Sequence, residues 1–147
     1  MITPPLRIYI PIEEGGGLCH APVPCKRLAD GSYEILPDDQ AIFDDEDNSQ
    51  LYKFGPGDIA TAETKQSNRG PELFARNLIR SGSKVNDLKR LMFTILEENP
   101  KPSILIGQHG NDTVRRLLTK LEKADTWIYP GIREYVKEHR SILEEAL

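Results

Sequence analysis

The residues best suited to chemistry are few: two cysteines and three histidines in 147 residues. Cys19, His20 and Cys25 lie within seven positions and offer soft and borderline metal ligands. Structural zinc takes four ligands, commonly as spaced cysteine pairs, and no fourth ligand is near, since His109 and His139 are distant in sequence. Cys25 alternates with Val23 on a predicted strand, so it reads as a buried thiol and His20 as a loop histidine. Neither a metal nor another cofactor is expected. A Cys19 nucleophile with His109 as its base would be conventional chemistry, but nothing in the sequence brings the two together. No catalytic set is assigned.

Three further stretches invite a binding role. "EEGGGLCH" is glycine-rich, but "LCHAPVP" cannot open a helix, no Lys-Ser/Thr pair follows, and Glu13 and Glu14 would repel an anion. It reads as a hairpin loop. "DDQAIFDDEDNSQ" lacks the calcium-loop pattern: counted from Asp45, the sixth residue is Gln50 and the twelfth is Pro56, where Gly and Glu are required. Asp44, Asp45, Glu46 and Asp47 are instead a candidate contact for a basic partner. "GQHGNDTVRR" gathers His109, Asn111, Asp112 and Thr113 at a predicted helix start, with Asn111 or Asp112 as the cap. Arg115 and Arg116 follow in the first turn, where the helix dipole disfavours cations. Lys120 and Lys123 extend a basic face. Anion contact competes there with a solvated charged surface.

These residues must be held by an α+β chain. Apolar residues make up 38% of it, enough for a packed interior. "LRIYIPI" (6–12) alternates at period two. "VPCKRL" (23–28) and "SYEIL" (32–36) flank Asp30-Gly31, a hairpin signal. "AIF" (41–43), "LYKF" (51–54) and "DIATAE" (58–63) complete a strand-rich half. Between the last two, Pro56 suits the second position of a type II turn and Gly57 the positive φ of the third, with Phe54 and Ile59 expected to face the core. An aromatic residue, then x-Pro-Gly-Asp and an aliphatic, as in Phe54–Ile59, resembles a turn of small SH3-like barrels. That resemblance implies a small barrel and carries no function.

Past Gly70-Pro71 the apolar spacing turns helical. A first helix is predicted from Pro71 through Leu73, Phe74, Leu78 and Ile79. A second, capped by Ser83, ends at Asn99-Pro100. Two more run through Val114–Leu121 and, after Pro130, through Ile132–Leu143. For "PSILIGQHG" (102–110) the balance favours a short helix over a strand. His139 on the last apolar stripe reads as a packed core residue, and Trp127, Tyr129 and Tyr135 as packing between the two parts. The expected fold is therefore an N-terminal antiparallel, barrel-like (SH3-like) subdomain over 1–66, followed by a bundle of three to five helices over 67–147.

Charge divides along the same line. Residues 1–68 carry net −7 and residues 69–147 net +3, within an overall −4. An acidic whole weighs against a nucleic-acid partner. No window approaches the length of a membrane span, the start lacks the basic flank of a secretory signal, and two cysteines make no disulfide framework. The chain is thus expected to be a soluble cytoplasmic protein, with oligomeric state open. The leading expectation for function is a non-catalytic interaction or regulatory protein, of immunity type among others, meeting another protein through Asp44, Asp45, Glu46 and Asp47 or through His109, Arg115 and Arg116. The alternatives are a nucleic-acid-associated small barrel using the basic helical half, and an enzyme with a site near His109.

Overall fold

The computed structural model describes residues 6–38, 43, 48–123 and 127–147. Strands β1 (Arg7–Glu14) and β2 (Gly17–Arg27) form the first hairpin. Its turn holds Gly15 and Gly16 at φ +64° and +87°, the tight two-residue form that only glycine adopts without cost. Ile8, Ile10 and Ile12 alternate inward and are at most 3% exposed. They meet Val23 and Cys25 of β2, and Ile35 of β3 (Tyr33–Ile35).

After β4 (Gln50–Tyr52), strands β5 (Ile59–Ser67) and β6 (Gly70–Arg80) return the chain to β1. The order β1-β2-β3-β5-β6 closes on itself as a five-stranded barrel. A meander of five strands brings first and last together pointing the same way. The closing β1–β6 pair is accordingly parallel and short, Ile8 opposite Leu73 and Tyr9 opposite Phe74. β4 pairs with the other end of β1, Ile12 opposite Tyr52, and covers an edge that would otherwise be open.

The structure corrects the sequence at residues 71–80, which form β6 and not a helix. The hairpin from β5 turns at Ser67–Gly70, where the Ser67 hydroxyl binds the turn backbone and Gly70 has φ +101°. Two register shifts then give β6 extra residues relative to β5. They break the inward alternation of Leu73 and Ala75, so that Leu78 and Ile79 imitate a helical spacing. The change from strand to helix falls at Ser81–Ser83.

Four helices follow: α1 (Lys84–Glu98), α2 (Pro102–His109), α3 (Asn111–Leu121) and α4 (Pro130–Ala146). Ser83 caps α1 by accepting from the Asn86 N–H, and Asn99 ends it at φ 44°. Within the segment 102–110, Pro102–His109 is helical, as the balance of the sequence favoured, and Gly110 ends the helix. The four helices share one apolar cluster around Leu91, Leu105, Leu117 and Ile132, joined by Leu51 of β4. Among the described residues, no helix is long and apolar enough to cross a membrane.

Gly55–Asp58 forms the expected turn, with Gly57 at φ +87° and the Asp58 N–H donating to the Gly55 carbonyl at 3.0 Å. The runs beside it are not partners, however: β4 pairs with β1, and β5 with β3 and β6. Nor is Ile59 the buried residue. It is half-buried, while Asp58 is fully enclosed. The turn lies against the entry to α1, where a Cβ on Gly82 would sit 2.4 Å from the Gly57 carbonyl carbon. Two backbones leave no room for a side chain, so Gly82→Ala is expected to cost roughly 1–3 kcal/mol in urea unfolding. Gly107→Ala, inside α2 with open space around its Cβ, should instead stabilise by about 0.5–1 kcal/mol. Equal midpoints for the two variants would refute this packing.

Candidate functional site

The same alternation that sends Ile8, Ile10 and Ile12 inward turns Tyr9 and Pro11 outward. On β6, Leu73 and Ala75 face in, and Phe74 and Arg76 face out. The parallel closure sets Tyr9 beside Phe74, their rings stacked at 4.9 Å and 16°. His20, opposite Pro11 on β2, meets Phe74 edge-on at 5.8 Å. Lys65 Nζ lies 5.1 Å from the centre of the Phe74 ring. Both rings are half-buried and His20 is exposed, so the three form a ridge on the outside of the barrel.

A cleft runs along each side of this ridge. The one beside Tyr9, about 330 Å³, is lined by Arg7, Arg69 and Glu72 among others. The one beside Phe74, about 370 Å³, is lined by His20, Lys53, Lys65 and Arg76. Together they gather five Lys or Arg side chains and one carboxylate. Of the five, Arg76 pairs with Glu63 at 3.0 Å on the surface. This local balance is opposite to that of the whole chain, and local potential is what a charged ligand meets. The arrangement offers flat apolar faces between flanking cations, a geometry suited to planar anionic ligands.

The barrel is tied to α1 by the buried carboxylate of Asp58. It accepts from the Gly55 N–H (2.8 Å), the Gly82 N–H (2.7 Å), Asn86 Nδ2 (3.0 Å) and an Arg90 guanidinium nitrogen (2.7 Å). The same Arg90 nitrogen donates to the Lys53 carbonyl at 2.6 Å, fixing the backbone of a cleft residue. A carboxylate with four donors meets the condition for burying charge. Sequence reasoning passed over Asp58 because it is the last residue of a turn, a place where aspartate needs no special explanation.

Behind α1, a cleft of about 330 Å³ is lined by Lys53, Asp87, Arg90, Thr94 and His109. His109 Nε2 lies 3.1 Å from Thr94 Oγ1, whose single proton goes to the Arg90 carbonyl. The imidazole must therefore donate from Nε2 and keep its lone pair on Nδ1. Burial first, and the Arg90 charge second, hold His109 down to about 4 against a smaller opposing pull from Asp87. The ring is neutral at neutral pH.

Of the other residues singled out in the sequence, His109, Arg115 and Arg116 do line one cavity, with Lys84. Arg115 pairs with Asp112 at 3.2 Å and donates to the Leu147 carbonyl. Neither Asn111 nor Asp112 caps α3: the N-cap is Gly110, with no side-chain hydrogen bond. Cys25 is buried and its thiol is pushed up to about 11 by desolvation, while Cys19 is exposed on the same strand. His20, one position on from Cys19, turns to the Phe74 ridge, so the trio is not gathered. Among the described residues no cluster of three or more His, Cys, Asp or Glu could hold a metal ion. Asp44, Asp45, Glu46 and Asp47 lie outside the described residues, as does the predicted strand at 41–43 apart from Phe43, which is not in a strand. His139 packs on Tyr135 at 4.6 Å; Tyr129 and Tyr135 are buried as expected, but Trp127, which meets Tyr129 at 4.9 Å, is 55% exposed and is not the packing residue expected of it. Sequence reasoning missed Tyr9, Phe74 and Lys65 as a group, because their meeting depends on the parallel closure. Comparison with protein-family models, curated proteins and solved structures found no match for this chain.

Two outcomes test this site. Asp58→Ala strands the buried Arg90 charge and is expected to cost about 3–5 kcal/mol in chemical denaturation; a loss under about 1 kcal/mol would show that the network does not join barrel to helix. For His109, the unfolded chain takes up a proton near the ordinary value of 6.5, while the folded chain waits until about 4. Stability is therefore full above 6.5 and falls as pH drops toward 4, by at most roughly 2–3 kcal/mol given a ring not wholly enclosed. Denaturation midpoints between pH 7 and pH 4 should fall less steeply for His109→Gln than for the parent. Parallel curves would refute the assignment.

Proposed function

We propose that this protein binds single-stranded nucleic acid on the outer face of its barrel. The observation that carries the reading is the Tyr9–Phe74 ridge with a cationic cleft on either side. Single strands are held without base-specific contacts by two means: bases stack on aromatic faces, and the backbone tracks a positive groove. Phe74 and Tyr9 supply the first. Lys53, Lys65 and Arg76 on one side, with Arg7 and Arg69 on the other, supply the second. Lys65 over the Phe74 ring holds the face until a base replaces it, and its long stem then lets the ammonium move to a phosphate. This departs from the expectation that the basic helical half would make the contact. The leading expectation, a protein-interaction module reached through Asp44–Asp47 or through His109, Arg115 and Arg116, rests on the acidic first half, the amphipathic helices and the lack of a convergent catalytic set.

Fluorescence anisotropy with labelled oligouridylate and oligothymidylate tests the proposal. Binding should weaken with salt, and Lys65→Gln or Arg69→Gln should each flatten the log–log slope by about 0.7. Phe74→Ala should weaken binding by roughly 5- to 150-fold, the equivalent of about 1–3 kcal/mol per stacked base, with the slope retained. Both rings lie outside the core, so an unchanged unfolding midpoint serves as the control. No binding of either strand at low salt would overturn the proposal, as would unchanged affinity in Tyr9→Ala and Phe74→Ala.

A further inference from the structure

A pocket of about 220 Å³ lies between the first hairpin and α1. It adjoins the cleft beside Phe74, for Pro11, His20 and Lys53 line both. Its walls are apolar where the two halves of the molecule face each other, with Leu18 from β2 and Phe93 from α1. Sites for a whole small-molecule ligand run from about 300 to 1,000 Å³. This one is smaller and suits a single flat ring system.

The backbone around it is fixed. The Lys53 N–H donates to the Pro11 carbonyl at 3.1 Å, and an Arg90 guanidinium nitrogen donates to the Lys53 carbonyl at 2.6 Å. The rim is thus held in place without a ligand, which lowers the cost of binding one.

The polar groups differ from those of the barrel face. Glu97 and Glu98, exposed in the last turn of α1, line the pocket. Neither has a hydrogen bond or ion pair among the described residues. Both stand against the helix dipole, with no basic residue in that turn to offset them. They repel phosphate, so the backbone of a strand is kept out. A base edge is not, because ionised carboxylates accept hydrogen bonds and donate none. The Thr94 hydroxyl, also in the lining, is committed to the Arg90 carbonyl, and His20 is turned to the Phe74 ring. The ammonium of Lys53 remains as the donor.

We infer that this pocket takes a guanine base from a strand lying on the ridge, an inference that rests on the proposed single-strand binding. Of the four bases, guanine alone sets two adjacent donors, N1–H and the 2-amino group, beside an acceptor, O6. The donors match a carboxylate of Glu97 or Glu98, and O6 matches the Lys53 ammonium. Uracil flanks its one N–H with two carbonyl oxygens, which the carboxylates repel. Adenine and cytosine offer one amino group each. Single strands are commonly read in this way, through bases turned out and bonded along their Watson–Crick edges. The phosphates stay outside with Lys65 and Arg76 of the adjoining cleft. The pocket therefore adds base selection to a face that otherwise holds any sequence.

Fluorescence anisotropy with oligouridylate, and with the same strand carrying one central guanosine, inosine or adenosine, tests the inference. Guanosine should raise affinity roughly 5- to 150-fold, the range for one bidentate base contact. Inosine, which lacks the 2-amino group, should recover only part of the gain. Adenosine, a purine of similar stacking surface, should also fall short. The double variant Glu97→Gln, Glu98→Gln should lose the guanosine gain and keep its affinity for oligouridylate. Both positions are exposed, so its unfolding midpoint should match the parent. Equal affinity for the guanosine-containing and all-uridine strands would overturn the pocket and leave the ridge standing. So would a guanosine preference that survives in the double variant. Failure of every strand to bind would remove the ridge reading and the pocket with it.

Discussion

The carboxylate of Asp58 sets the relation between the two halves of the molecule. Its donors come from the Gly55–Asp58 turn, from Gly82 at the strand-to-helix change, and from Asn86 and Arg90 on α1. Buried ion pairs contribute little net stability, because desolvation consumes most of the attraction. Their effect is geometric. Asn86 is saturated in the same way, accepting from the Tyr52 hydroxyl at 3.1 Å while donating to the Pro56 carbonyl at 2.9 Å and to Asp58. A rotation of α1 would strand several buried polar groups at once. The glycines at 57 and 82 follow from this demand, since the donors reach one carboxylate only if the two backbones touch.

The outer face of the barrel depends on a second constraint, that of parity. An odd number of strands joined by antiparallel steps must close with a parallel pair, and here the pair is only two residues long on each strand. That short closure is what sets Tyr9 against Phe74. The register shifts in β6 end the regular ladder soon afterwards. With any other closure, Tyr9 and Phe74 would stand on separate parts of the surface.

What could be read from the sequence follows from how local each signal is. The Gly55–Asp58 turn, the Ser83 cap, the Asn99 stop and the isoleucine alternation in β1 are written within a few residues and appear in the structure as expected. The small barrel followed by helices was legible as well. Residues 71–80 were not: Pro71 at a predicted helix start and the spacing of Leu73, Phe74, Leu78 and Ile79 favoured a helix. Only pairing with β5, including its bulges, makes a strand of them, and pairing is not a local property. The ridge was hidden for the same reason, as Tyr9 and Phe74 are far apart in sequence. His109, Arg115 and Arg116 were recognised because one short polar stretch holds them.

The acidic balance of the chain and the cationic character of its clefts have one explanation. Net charge governs solubility and long-range repulsion, whereas binding responds to the field within about a Debye length, roughly 8–10 Å at ordinary ionic strength. Of the carboxylates in the strand-rich half, Asp58 is enclosed and matched by Arg90, and Glu63 is matched by Arg76. The run Asp44–Asp47 supplies much of the remainder from one stretch of sequence. What the ridge presents is set by Arg7, Lys53, Lys65 and Arg69, and the overall charge of −4 is a property of the chain, not of that face. On the proposed reading, a negative chain with locally positive clefts would repel nonspecific polyanions at long range and favour ligands that also satisfy the aromatic surface between the cations.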